Sequence, residues 1–423
     1  MRLGATFDTH FAQQSRGRRP AMETNMTEDF DFYAGAFQAD PGPTFARMIE
    51  GCPYHHSEKW GWYSVFRYAD VQRVVDDNAT YSAKYGPGVD YAPLDRPAVL
   101  VSADPPLHTI QRRAIVQAFN SRTIRAMEPG LREFVTGLID GVIDQGHCDL
   151  IQDIAVPVPV WIICNFLGLP YEENAVRFRS WVEVMAASVF SQDKPEVRVR
   201  GGEAAMEIAA FFKPIIEEKM RQVAAGEDPG DHLLGMMAKA DVDGTRLTLE
   251  EMLGFAQFLL VAGSGTTTNL IGNFFKLMLD HPEQRQKLEA DPGLMEQAIE
   301  EVLRYDAPVH GLFRTNNEPV QLGDLEVPVD SKICLMWGSA NRDPEVFERP
   351  NEFDITRDLY TLRKNMTFGW GIHKCIGAPL ARLECRVVVE EISRRMPNYQ
   401  AGGRRVAYPY ATLHGLDHLD LKW

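Results

Sequence analysis

The chain has 423 residues, enough for a very large core, and its hydrophobic fraction of 45% and aromatic fraction of 10% are those of an ordinary globular protein. Its formal net charge of −15 excludes the broadly basic surface that generic nucleic-acid binding needs, so we expect no nucleic-acid partner. Its six cysteines form no C-x-x-C pair, which argues against zinc ribbons and thioredoxin-like sites, and they are too few for a disulfide scaffold.

The first 28 residues, MRLGATFDTHFAQQSRGRRPAMETNMTE, are polar and lack the apolar segment of a signal peptide. We predict that residues 1–28 are disordered and that residues 29–423 form a single domain. Met22 and Met26 are alternative starts. No run of about 18 uninterrupted apolar residues occurs, so we expect no membrane span and a cytoplasmic location.

Helical periodicity dominates the chain, and strand-like stretches occupy only residues 60–67 and 320–337. The expected order is a small β-rich region, a long helical middle, a short β segment and a final helix. We therefore predict a mainly α fold with a small β region. The clearest helical patterns cover residues 66–77, 107–119, 127–146, 203–226 and 294–306.

One predicted helix is unusually long. Thr248 and Glu251 form a T-x-x-E capping box, and the helix runs from there to Pro282, more than thirty residues later. Its middle, AGSGTTTN, contains Gly263 and Gly265, each of which costs roughly 1 kcal/mol against alanine inside a helix. Two interpretations stand: the small residues admit another helix, or a bulky group lies across them and a threonine hydroxyl faces it.

A single cysteine stands in the glycine-rich stretch FGWGIHKCIGAPLARLE, residues 368–384. Pro379 occupies the position where the first turn of a helix begins, so Cys375 lies just before a helix N-terminus. The free amides and positive dipole end there favour a thiolate. Three interpretations remain open: a buried structural cysteine, a nucleophile with His373 as its base in a cysteine hydrolase, or a metal ligand.

The segment FGWGIHKCIG resembles the haem-binding loop F-G-x-G-x-H-x-C-x-G of bacterial cytochromes P450, the haem-thiolate monooxygenases. Four further segments resemble this family and occur in its order, so the resemblance covers about residues 30–423. They are ADPPLHTIQRR (103–113), AGSGTT (262–267), EEVLR (300–304) and NRDPEVFERPNEFDITR (341–357).

The resemblance implies the cytochrome P450 fold and haem b, iron protoporphyrin IX, as the cofactor, with O₂ as co-substrate. Cys375 is then the axial iron ligand, Phe368 packs near the sulfur, and Gly377 belongs to the same loop. Two buried haem propionates need charge-assisted donors. The family positions that supply them here are His108, Arg112, Arg314 and His373.

The resemblance also implies a buried structural triad of Glu301, Arg304 and Arg357. Thr266 matches the family's oxygen-activating threonine, in a groove with Ala262 and Gly263. The chain departs from the family at Gly265, where an acidic residue is usual. The proton relay then depends on water or on a substrate group, or the enzyme is poorly coupled or uses peroxide.

By family position, four segments line the substrate pocket: residues 85–100, 258–262, 309–313 and 411–414. We expect a small hydrophobic substrate, aromatic or terpenoid in size. His310 is the polar exception; it either binds a phenol or carboxylate or faces solvent or backbone. The expected pocket residues are Phe258, Leu259, Val309, His310, Leu312 and Leu413.

The chain contains no flavin or dinucleotide-binding segment, so electrons come from a separate protein, for which a ferredoxin is expected. A basic patch near Cys375 is the predicted docking face, on a protein expected to be monomeric. The alternative functions are peroxide-driven or non-oxygenase haem chemistry, or a haem-based sensor. The patch comprises Arg112, Arg113, Arg363, Lys364 and Lys374.

Overall fold

A computed structural model describes residues 30–88, 97–190, 195–407 and 412–423. The predicted disorder of residues 1–28 lies outside these ranges. The described chain is mainly helical with small sheets, as predicted. Its helices are α1 (Gly35–Ala39), α2 (Gly42–Gly51), α3 (Tyr68–Asp76), α4 (Leu107–Ile115), α5 (Ser121–Asp140), α6 (Pro157–Leu167), α7 (Tyr171–Phe190), α8 (Pro195–Ala224), α9 (Leu233–Lys239), α10 (Leu249–Asp280), α11 (Pro282–Ala290), α12 (Met295–Tyr305), α13 (Trp337–Ala340), α14 (Leu359–Leu362) and α15 (Ala378–Arg395).

In the described residues, three sheets flank the helices. The largest has the order β1-β2-β8-β5-β3 and joins N-terminal strands to late ones, with β2 and β8 parallel. A second has the order β4-β10-β9, and β6 and β7 form a hairpin. The strands are β1 (Tyr54–Ser57), β2 (Trp62–Val65), β3 (Tyr81–Ser82), β4 (His147–Asp149), β5 (Leu312–Asn316), β6 (Val320–Leu322), β7 (Leu325–Val327), β8 (Lys332–Leu335), β9 (Gln400–Ala407) and β10 (Leu416–Lys422).

The predicted long helix is α10, which spans 32 residues. The Thr248 hydroxyl accepts a hydrogen bond from the Glu251 amide at 3.2 Å, and the Glu251 carboxylate accepts one from the Thr248 amide at 2.8 Å, so the capping box is confirmed. Pro282 begins α11 instead of extending α10. α10 packs against α6, α7, α8, α12 and α15 and so forms the centre of the helical layer.

The order predicted from the sequence is wrong at its end. α15 is followed by β9 and β10, which pair with each other, and β10 also pairs with β4 from the middle of the chain. All eight residues of β9 are exposed and include two adjacent glycines and two adjacent arginines. The strand therefore lacks the apolar alternation by which a half-buried strand is recognised.

α6 and the helical turn before it form an apolar stretch, Leu150–Leu167, in the interior of the described chain. By length and composition alone this stretch could cross a membrane, but 67% of it is buried inside the protein. α6 packs against α5, α7 and α10. Its apolar character is that of a core helix.

Candidate active site

The loop that carries Cys375 is shaped by glycine. Gly369 and Gly371 have φ values of +69° and +63°, which L-residues with a side chain rarely adopt. The loop closes where the Cys375 amide donates to the Phe368 carbonyl at 2.8 Å. α15 begins three residues later with Pro379 in its first turn, as predicted.

Cys375 is an exposed residue, although protein surrounds its sulfur. Burial raises the pKa of its thiol, while hydrogen bonds from the amides of Gly377 and Ala378 and the charges of Arg112 and Arg382 oppose that rise. A metal ion would add a far larger charge and deprotonate a coordinating thiol. The sulfur is therefore a surrounded but accessible ligand atom at a helix N-terminus.

Four basic side chains converge from three parts of the chain. His108 and Arg112 lie on α4, Arg314 on β5 and His373 in the cysteine loop. The rings of His108 and His373 lie 4.3 Å apart between centroids. Burial and the neighbouring charges of Arg314, His108 and Arg112 lower the pKa of His373 to about 3. Burial lowers the pKa of Arg314 to about 10.

This basic cluster has polar atoms without partners. Nε of Arg314 and Nε2 of His373 are buried and make no hydrogen bond. Asp104, the acid whose charge acts on His108 and Arg314, already accepts hydrogen bonds from the Ser82 hydroxyl and from the Ala83 amide at 2.8 Å. Buried donors without acceptors are costly, so the cluster fits an anionic ligand with more than one carboxylate.

The two halves of the site fit one cofactor. Haem combines a metal that binds a thiolate with two carboxylates that need basic partners. In the part of the chain that the structure describes, no group of three or more His, Cys, Asp or Glu residues is arranged to hold a metal ion. This absence agrees with a metal ion that takes one ligand from the protein and its other ligands from a macrocycle.

Comparison with known proteins agrees with this geometry. The family model described as cytochrome P450 matches residues 61–292 and 293–395. This chain belongs to the cytochrome P450 family. Cytochromes P450 bind haem b and use O₂ as monooxygenases, and this chain is a monooxygenase of the bacterial branch.

Its relatives match over nearly their full length. Cytochrome P450 monooxygenase PikC from Streptomyces venezuelae is 35% identical, over 92% of each chain. The vitamin D(3) 25-hydroxylase of Pseudonocardia autotrophica is 34% identical, over 89% of this chain and 91% of its own. The crystal structure of CYP109E1 from Bacillus megaterium in complex with testosterone has a TM-score of 0.82 at 30% identity, over 92% of this chain and 98% of its own.

The predicted triad of this P450 comes together in the interior. The Arg304 guanidinium donates to both Glu301 oxygens at 2.7 and 2.8 Å, and Arg357 Nε donates to Glu301 at 3.1 Å. Both side chains of the Glu301–Arg304 pair are fully buried. Arg304 also donates to backbone carbonyls in the segment after α13, so the triad fastens that segment to α12.

The two glycines in the middle of α10 have different surroundings. A Cβ on Gly263 would lie 3.4 Å from Ile163 on α6, so this glycine admits a neighbouring helix. A Cβ on Gly265 would have no heavy atom within 4 Å. The Thr266 hydroxyl donates to the Ala262 carbonyl at 2.8 Å and keeps its lone pairs. Gly263 therefore lies against a neighbouring helix, and the open space beside Gly265 leaves room for a larger group.

The predicted pocket residues divide into two groups. Phe258, Leu259, Val309 and Leu312 are half-buried and present apolar surface. The prediction was wrong for His310, which is 2% exposed and packs its ring against Phe37 and Phe45. Leu413 is also buried, at 2% exposed, and is the β-bridge partner of Val309. Residues 89–96 and 411 of the predicted pocket segments lie outside the described residues.

Sequence reasoning missed Arg382. Its guanidinium lies 4.6 Å from the centroid of the Phe368 ring and pairs with Glu300. Its charge also acts on Cys375. The available signal was its spacing: it follows Cys375 by seven residues and lies about one turn into α15.

The cysteine-hydrolase interpretation finds no support in the geometry. Among the described residues no hydrogen bond joins the Cys375 sulfur to the His373 ring. Because burial and neighbouring cations lower the pKa of His373 to about 3, its imidazole is a poor base. Membership of the cytochrome P450 family removes this alternative.

Proposed function

We propose that this cytochrome P450 inserts one oxygen atom from O₂ into a hydrophobic substrate, by hydroxylation or O-demethylation, with electrons from a separate ferredoxin. Cys375 would bind the haem iron through its sulfur, and His108, Arg112, Arg314 and His373 would hold the propionates. The unpartnered, buried Nε of Arg314 and Nε2 of His373 support this assignment. They need acceptors that the described protein does not provide.

When bound, haem supplies the redox centre at which O₂ is activated, and a thiolate ligand favours O–O cleavage. The protein tunes that centre through the groups around the sulfur. The Gly377 and Ala378 amides and the Arg112 and Arg382 guanidiniums all stabilise negative charge on Cys375. The Phe368 ring, in the same loop, lies 4.6 Å from the Arg382 guanidinium.

Thr266 and the space beside Gly265 serve proton delivery. The Thr266 hydroxyl donates to the Ala262 carbonyl, so its oxygen accepts a hydrogen bond from a neighbouring proton donor. The space beside Gly265 admits a water molecule or a polar substrate group in place of an acid. We infer that the proton relay runs through that water or substrate group.

The substrate is hydrophobic because the half-buried pocket residues are Phe258, Leu259, Val309 and Leu312. The sequence alone suggested a small aromatic or terpenoid. A relative is named for vitamin D(3), and a similar structure holds testosterone. We therefore include steroid-sized molecules among the candidate substrates. The protein is expected to work as a soluble monomer in the cytoplasm.

The deciding experiment is a spin-state titration of the purified ferric protein with small aromatics, aromatic carboxylates, terpenes and steroids. A substrate displaces the water bound to the iron and shifts the Soret band. We expect one class to produce this shift, and its members to yield hydroxylated or demethylated product when a ferredoxin supplies electrons. A protein with a thiolate-ligated carbon monoxide spectrum and no shift with any class would overturn the substrate assignment.

The Gly265 position favours one second candidate, peroxide-driven oxidation, since this chemistry needs no acid to protonate O₂. Replacing the ferredoxin and O₂ by hydrogen peroxide separates the two. Faster product formation with peroxide than with ferredoxin would favour the second candidate.

A further inference from the structure

A buried charge network lies behind the pocket. Asp306, which follows the last residue of α12, pairs with Lys276 on α10 and accepts a hydrogen bond from His414 Nε2 at 3.1 Å. The three side chains are 5%, 15% and 9% exposed. The Asn273 amide donates to the carbonyls of Asp306 and His414 at 3.0 and 3.2 Å. The network therefore ties the C-terminal segment and the segment after α12 to α10.

The same two segments meet in a short antiparallel contact. The His310 amide donates to the Thr412 carbonyl at 2.8 Å, and the His414 amide donates to the Pro308 carbonyl at 2.9 Å. Val309 and Leu413 are opposite partners in this bridge. In such a pair, partners share one face and their chain neighbours point to the other. Consistent with this, the His310 and His414 rings lie 4.5 Å apart, away from the pocket side chains.

We propose that His414, Asp306 and Lys276 are positioning residues that fix the Val309 wall of the substrate pocket and thereby determine which substrates fit. Removing Lys276 leaves the buried Asp306 carboxylate without its cation, and removing His414 leaves it without a hydrogen-bond donor. Both changes are unfavourable in the interior, so the segments must shift to let water in. A shift of the His414 segment moves Val309 directly because they share the bridge. This inference rests on the proposed function, in which Val309 lines the pocket.

The test uses two ligands that bind haem iron through an imidazole nitrogen and need no turnover. Imidazole itself is small, whereas the phenyl ring of 4-phenylimidazole also needs the pocket wall. Spectral titration of the haem-loaded protein gives both dissociation constants. We expect His414→Ala to raise the constant of 4-phenylimidazole roughly tenfold and that of imidazole less than about twofold. His414→Gln, whose amide can still donate to Asp306, should restore most of the affinity.

The matched control is Asp280→Asn. Asp280 also joins α10 to the C-terminal region, through an ion pair with Arg405 at 2.6 Å, but this pair is exposed. The Asp280→Asn substitution should leave the dissociation constants of imidazole and 4-phenylimidazole unchanged. If the His414→Ala variant does not bind haem, Lys276→Met provides the same test. Lys276 is chosen because it is the most exposed member of the network.

Equal weakening of both ligands, or no weakening of either, would overturn the proposal. So would a Gln variant that binds as poorly as the Ala variant while its melting temperature equals that of the wild type. A wild-type protein that binds both ligands but forms no product would overturn the proposed function and leave this test valid. The two failures are thus distinguishable.

Discussion

The His310 side chain stays neutral in the folded protein because its surroundings disfavour a positive charge. Both ring nitrogens are buried without partners among Phe37, Phe45 and His414. Burial and the neighbouring His414 hold the pKa of His310 well below its usual value. In the unfolded chain the ring takes up a proton near pH 6.5 that the folded protein does not. Folded stability is therefore lost as the pH falls below about 6.5.

We predict that His310→Leu reduces this acid sensitivity. Between pH 6.5 and 5 the wild type should lose up to about 1.4 kcal/mol of unfolding free energy per pH unit through this one proton, and the variant should not. Urea unfolding at several pH values measures the difference. His147→Leu, at an exposed position, is the control and should keep the wild-type slope. Parallel slopes for wild type and His310→Leu would contradict the prediction.

At Gly265 we predict that Gly265→Asp raises the fraction of electrons that end in product and lowers the solvent isotope effect on turnover. The carboxyl fits into the open space beside Gly265 and supplies an acid near Thr266. Product and consumed reductant are measured together on a substrate found by titration. Gly265→Asn has nearly the same shape without the acid and should not raise coupling. Unchanged coupling and isotope effect in the Asp variant would reject the water or substrate relay.

At the scale of elements, an ion network links α5 to α15, the helix that begins beside the cysteine loop. Arg132 pairs with Glu128, Glu390 and Glu391 at 2.9, 2.7 and 2.7 Å. Arg386 pairs with Glu128 at 2.7 Å from the other helix. One arginine that joins three carboxylates is worth more than separate surface pairs.

We predict that Arg132→Gln lowers the unfolding free energy by roughly 1–2 kcal/mol and that high salt reduces the loss, because the network is partly exposed. Arg246→Gln, which removes a single exposed pair with Asp241, should change it by less than about 0.5 kcal/mol. Chemical denaturation at low and high salt measures both. Equal effects of the two substitutions would mean that the network adds nothing.

The elements also show how far sequence reasoning reaches. Local signals were sufficient for α10, because Thr248 and Glu251 indicate its N-cap and Pro282 indicates its end. They were also sufficient for the start of α15, which Pro379 indicates. They failed for α5, which begins at Ser121 instead of residue 127. Its N-cap, Asn120, accepts from the amides of Arg122 and Thr123, but Pro129 inside the helix is locally a helix-breaking signal.

Contacts between distant segments could not be predicted in the same way. The burial of His310 depends on α1 and α2, which supply Phe37 and Phe45, and on a bridge to a segment about a hundred residues later. Nothing near His310 in the sequence encodes these partners. The four basic residues beside Cys375 were predicted only through the family resemblance, because α4 and β5 meet the cysteine loop by tertiary packing.

For the molecule as a whole, the predicted basic patch is partly neutralised by acids. Arg113 pairs with Asp243 and Arg363 pairs with Glu296. Lys374 is exposed and Lys364 lies 5.0 Å from the Tyr360 ring, and no ion pair of either lysine occurs among the described residues. These two lysines are therefore the stronger candidates for contact with an acidic ferredoxin.

We predict that the double variant Lys364→Glu, Lys374→Glu slows reduction by a ferredoxin about tenfold at low salt, with a smaller effect at high salt. Stopped-flow reduction in the presence of carbon monoxide measures the rate. Lys213→Glu, Lys219→Glu on α8 changes the net charge equally and should leave the rate near that of the wild type. If both double variants slow reduction alike, overall charge and not this patch guides the partner.

The largest sheet sets an order of events during synthesis. Ser64 on β2 pairs with Cys334 on β8, so a ribosome must add 270 residues before the pair can form. At roughly 5–20 residues per second, the early strands wait on the order of ten seconds or more. The residues proposed to hold haem are likewise far apart in the sequence, from His108 to Cys375. The nascent chain therefore has no complete haem site until residue 375 has been added, and we expect a chain truncated before that residue to bind no haem.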